Sequence, residues 1–66
     1  MNAKQETWEE LKDETVRLHL EIGYAGKMQD WDTVKYLEAK YVKAHKEMRA
    51  FAKRNGLLGE YEAWIS

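Results

Sequence analysis

Two stretches of the chain place their core-type residues at alternating steps of three and four. The first holds Trp8, Leu11, Thr15, Leu18, Ile22 and Ala25, with Thr15 its one polar member; the second holds Val34, Leu37, Tyr41, Ala44, Met48 and Phe51. Such steps line side chains along one side of an α-helix, and when sustained they form the seam of helices packed at a shallow angle. No period-two alternation of strand length accompanies them. The pattern predicts an all-α chain built on two long helices.

The two seams match when the chain folds back at Gln29–Asp30. Residues whose numbers add to 59 then face one another: Trp8 with Phe51, Leu11 with Met48, Thr15 with Ala44, Leu18 with Tyr41, Ile22 with Leu37, and Ala25 with Val34. This register predicts an antiparallel hairpin, arms 8–28 and 32–54, with a turn at 29–31. Ending the first arm at Ile22 would leave Val34 without its layer. Gly23 and Gly26 are therefore expected inside the helix, although each costs about 1 kcal/mol relative to alanine there.

Local signals mark the ends. Thr7-Trp8-Glu9-Glu10 reads as a capping box, with Asp13 and Glu14 adding negative charge near the positive end of the helix dipole. Asp30 or Asp32 can cap the second arm. Lys53-Arg54-Asn55-Gly56-Leu57 reads as its stop: cations in the last turn, then glycine in the left-handed position, then an apolar residue. Beyond it Leu57, Leu58, Tyr61, Trp64 and Ile65 recur at helical spacing and predict a short tail helix over 58–65.

A second apolar row changes the picture. Val16, Leu20 and Tyr24, at i, i+4 and i+8, lie nearly opposite the first arm's seam, and Gly23 falls among them. A hairpin alone leaves this row in water, and a chain of 66 residues hides only about 60 % of the surface its unfolded form exposes. An eight-residue tail helix spans ~12 Å, enough to reach Val16 but not Tyr24. A second copy is the expected cover, joining two hairpins through their first arms into a dimeric four-helix bundle with coiled-coil-like packing. The candidate oligomer or partner interface is Val16, Leu20, Gly23, Tyr24, Leu57, Leu58, Tyr61, Trp64 and Ile65. Sequence leaves open whether the tail packs on its own hairpin or on a partner.

Composition narrows the chemistry. With no cysteine there is no thiolate nucleophile, disulfide or cysteine zinc site. His19 and His45 are the only histidines, and neither follows the Glu-x-x-His spacing of bundle metal centres, so no metal is expected. The single serine is Ser66, no glycine-rich phosphate loop occurs, and no carboxylate falls on a seam where burial would tune it for proton transfer. No catalytic residue, no cofactor and no enzymatic activity are expected. Uncharged runs fall far short of the ~18 residues of a membrane span. The opening Met1–Glu6 has no apolar core of a secretory signal, so a cytoplasmic protein is expected.

Charge is divided unevenly. Residues 1–33 carry four basic and eight acidic side chains and residues 34–66 seven and four, for a net of −1. The hairpin lays acidic residues 6–14 beside basic residues 46–54, and brings Glu21 toward Lys40, His19 toward Glu38 and, unfavourably, Glu14 toward Glu47. Lys43, Lys46, Arg49 and Lys53 point away from the seam as a positive stripe of the kind that binds phosphates. Trp31 in the turn and Trp64 in the tail stand where tryptophan often anchors a partner. Asp30-Trp31-Asp32 with Tyr24 upstream is similar to the turn of a tetratricopeptide repeat, but Ile22, Val34 and Tyr41 stand where that repeat needs small residues. The expected function is a small, non-enzymatic, homodimerising protein–protein interaction module that binds and modulates a larger partner. The alternatives are a nucleic-acid-associated regulator using the basic stripe, or a structural subunit of an assembly.

Overall fold

The first helix begins one turn before its expected signal. In the computed structural model, which describes residues 2–66, Asn2 is extended and its Oδ1 accepts the Gln5 N–H at 2.8 Å. Helix α1 accordingly runs Ala3–Lys27. The Thr7–Glu10 capping box is thus not the start. Asn2 caps at least as well as threonine, and Lys4, Gln5 and Glu6 between them are good helix formers that give no reason to stop. The added turn is tied down by Gln5 Nε2 donating to Glu9 Oε1 at 3.2 Å.

Gly23 and Gly26 are helical, as the register requires, and α1 ends in a reciprocal pair of backbone bonds. Gln29 N–H donates to the Gly26 carbonyl and Asp30 N–H to the Ala25 carbonyl, both at 3.0 Å, with Gln29 in the left-handed region at φ 58°. This is a Schellman closure with glutamine where glycine is usual. Asp30 also opens the next helix. Its Oδ1 accepts from Thr33 N–H at 3.3 Å and its Oδ2 from the Thr33 hydroxyl at 2.6 Å. Helix α2, Trp31–Arg54, therefore starts with the chain already reversed. At its far end Gly56 takes φ 71° and Leu57 N–H donates to the Ala52 carbonyl at 2.8 Å, the ending expected from Asn55-Gly56-Leu57. Helix α3, Leu58–Ile65, follows at once.

Packing follows the matched seams. Leu18, Ala25 and Leu37 are buried together, with Ile22, Val34, Tyr41 and Ala44 against them. Trp8 and Phe51 stack at 6.4 Å between ring centroids, with their planes 11° apart. Between these groups Thr15 is fully buried and donates its hydroxyl to the Leu11 carbonyl at 2.8 Å, so its place in an apolar seam leaves no polar atom unsatisfied.

The tail decides the rest of the core. Leu57 and Tyr61 join Trp8, Met48 and Ala52 in a second buried cluster, with Leu11, Phe51 and Leu58 at its edge. Ala52 lies off the α2 seam, yet it is wholly buried because α3 packs over it. The result is a rod of 40 × 19 × 18 Å, three helices thick at the end holding Trp8 and two at the end holding the turn. Its radius of gyration of 13.3 Å exceeds the ~11 Å expected of a compact chain this long. Among the described residues there are three helices and no strand, and no helix is long and apolar enough to cross a membrane.

Candidate interaction surface

The tail helix divides the expected interface in two. Leu57 and Tyr61 are buried and Leu58 half-buried against the chain's own hairpin, so these three are core residues of the single chain, not free docking surface. Folding α3 against Trp8 and Met48 removes their apolar area from water without waiting for a second molecule. Trp64 and Ile65, on the last turn, remain 37 % and 51 % exposed.

Around them stands a cluster of rings. His45 is half-buried, with its Nδ1 3.1 Å from the Tyr61 hydroxyl. The His45 ring meets Tyr41 edge-on at 4.6 Å and lies 6.1 Å from Trp64; Tyr41 in turn lies 6.1 Å from His19. His19, Tyr41, His45 and Trp64, with Thr15, Val16 and Ile65, line an open cleft of about 320 Å³, and Tyr61 lies buried beneath the cluster. The cluster joins residues from all three helices and was not legible in the sequence. Only the placement of α3 brings Tyr61 and Trp64 to His45. Among the described residues no three histidine, aspartate or glutamate side chains gather closely enough to hold a metal ion.

Farther along α1 nothing covers the outer row. Leu20 is 67 % and Tyr24 72 % exposed, while Val16, beside the tail, is 45 % exposed. Val16 shares a cleft with Trp64 and Ile65 but stays exposed, so the tail covers none of the row. Gly23 lies in open space: a β-carbon placed there would meet nothing within 4 Å among the described residues. At the turn, Tyr24, Ala25, Met28, Tyr36 and Leu37 line a largely apolar groove of about 480 Å³, with Glu21, Asp30 and Thr33 at its margin. Met28, Tyr36 and the neighbouring Trp31 are all well exposed. Seam spacing does not mark Met28 or Tyr36, since Tyr36 falls between the seam residues Val34 and Leu37 and Met28 caps the helix.

Charge is arranged differently from expectation. Every ion pair among the described residues lies within α1: Lys12 with Glu9 at 3.0 Å, and Arg17 with Glu14 at 2.7 Å and Glu21 at 3.1 Å. Glu21 therefore pairs with Arg17, one turn away on its own helix, and not with Lys40. The ammonium of Lys40 lies over the Tyr36 ring at 5.0 Å. His19 turns to Tyr41, not to Glu38. Glu14 and Glu47 do line one groove, together with Lys40 and Lys43. The Glu14 hydrogen bond first, then the charges of Glu14 and Glu21, push the exposed Arg17 guanidinium up from its ordinary value, so it stays charged at every working pH.

The basic stripe is exposed throughout. Lys46, Arg49 and Lys53 surround a shallow groove of about 310 Å³ over Ala50, and Lys43 stands above it on α2. None of the four forms an ion pair among the described residues. Compared with protein-family models, with curated proteins and with solved structures, the chain matches none.

Proposed function

We propose that this chain is a small, non-enzymatic cytoplasmic interaction module. Two copies pair through the outer faces of α1 into a dimeric four-helix bundle, and the pair binds and modulates a larger protein. The observation that carries this reading is the row of Val16, Leu20 and Tyr24, all still exposed with the tail packed in place. Scattered exposed apolar residues need no explanation, but a continuous row on one helix face does. The reading needs no cofactor and no catalytic group. Met28, Trp31 and Tyr36, at the end where the rod is two helices thick, lie beyond the pairing row and form the surface assigned to the larger partner.

Sedimentation equilibrium across a range of protein concentrations tests the pairing. The wild-type chain is expected to approach twice its 7.8 kDa mass, and Leu20→Asp is expected to give a folded monomer of 7.8 kDa. A wild-type chain that stays monomeric, or a variant that dimerises unchanged, refutes the reading. A second reading, binding of nucleic acid through Lys43, Lys46, Arg49 and Lys53, draws support from the absence of any acidic partner for these four cations among the described residues.

A further inference from the structure

Granting the pairing proposed above, the outer face of α1 also specifies how the second copy lies. We propose that the two α1 helices run antiparallel about a two-fold axis at Leu20, with residues whose numbers add to 40 facing one another. Leu20 then meets Leu20 of the second copy, and Val16 meets Tyr24, so all three exposed apolar residues find apolar partners. Charge selects the same arrangement. Asp13 and Lys27 lie on this face, each exposed and neither in an ion pair among the described residues. The antiparallel register sets Asp13 opposite Lys27 of the second copy, twice over. A parallel pairing sets each opposite its own like charge. Slipping the antiparallel register by one turn sets either Arg17 against Lys27 or Tyr24 against Lys12.

Gly23 supplies a second line of argument. Glycine within a helix costs about 1 kcal/mol, and among the described residues nothing lies within 4 Å of a β-carbon placed at Gly23. In the proposed register, Val16 of the second copy sits over the hole bounded by Leu20, Gly23, Tyr24 and Lys27, a knob entering a hole whose floor is bare. Any larger residue at 23 fills that hole. Hence a glycine that the single chain does not require is accounted for by its neighbour.

The chain has no cysteine, so single cysteines introduced on this face report the register directly. Leu20→Cys is expected to form a disulfide dimer on mild oxidation. Val16→Cys and Tyr24→Cys alone are expected not to, because like positions lie ~12 Å apart along the axis, beyond disulfide reach. Mixing the Val16→Cys and Tyr24→Cys proteins is expected to give the cross-linked heterodimer. Asp13→Lys or Lys27→Asp is expected to weaken self-association roughly tenfold at low salt, and the double exchange to restore it. Self-linking at all three cysteine positions would mean parallel helices and overturn the register while leaving the pairing intact. A dimer that links at none of them overturns pairing through α1. A wild-type chain monomeric in sedimentation overturns the register and the pairing together.

Discussion

Gln29 and Gly56 occupy the same conformation for the same purpose, at the left-handed position closing α1 and α2, with φ of 58° and 71°. Side chains other than glycine pay roughly 1–2 kcal/mol to sit there, because the Cβ crowds the following carbonyl. Glycine instead loses more freedom on folding, by roughly 0.5–1 kcal/mol. The difference gives two substitutions opposite signs. Gln29→Gly is expected to stabilise by about 0.5–1 kcal/mol and raise the melting temperature by several degrees; Gly56→Ala is expected to lower it by a similar amount. Thermal unfolding followed by circular dichroism measures both. A fall in melting temperature for Gln29→Gly would show that its side chain is held by something worth more than the strain. Gly56 was legible in the sequence as a stop signal. Gln29 was not, because a non-glycine residue in this conformation carries no mark of it.

At the scale of the element, α3 is the piece whose role the sequence left undecided. It is too short to be a stable helix on its own, and no side chain caps its start. What holds it is burial of Leu57 and Tyr61 against Trp8, Met48 and Ala52. A domain of this size has a total stability of only about 3–10 kcal/mol. Tyr61→Ala, which empties the centre of that cluster, is expected to cost about 3–5 kcal/mol and bring the chain near to unfolding. Tyr61→Phe loses only the contact to His45 and is expected to cost about 1 kcal/mol. Urea denaturation of the two variants separates packing from hydrogen bonding. Equal costs would mean that the His45–Tyr61 contact, not the buried ring, fixes the tail. Truncating α3 is accordingly a stability experiment and cannot serve as a clean test of partner binding.

Over the whole molecule, the basic stripe and the apolar groove at the turn lie toward opposite ends. Lys46, Arg49 and Lys53 lie near the three-helix end, while Tyr24, Met28, Trp31 and Tyr36 lie near the turn. A chain of net charge −1 has no overall attraction for polyanions, so any nucleic-acid binding has to come from the basic stripe alone. Four phosphate contacts would lose on the order of a hundredfold in affinity between 50 and 200 mM salt. On the interaction-module reading, a short duplex is expected not to shift in a gel at physiological salt. A shift that persists there and vanishes when Lys43, Lys46, Arg49 and Lys53 are changed to glutamine would favour the nucleic-acid reading.

The hairpin was written in the residue order: spacing set the helices, matched seams set the register, and Asp30 and Gly56 marked two of the boundaries. These are local or pairwise properties, and periodicity with capping chemistry suffices to read them. Three-body matters were decided only by the fold. Whether Tyr61 meets Trp8 or solvent depends on where α3 lands, and that depends on the bare methyl of Ala52, which no periodicity distinguishes. Ion pairing was likewise settled by geometry, since Arg17 reaches Glu14 and Glu21 along its own helix more readily than either glutamate reaches across to α2. The exposed row on α1 belongs to both levels. Its spacing is visible in the sequence, but that it stays uncovered follows from the length of a tail whose last turn ends beside Val16.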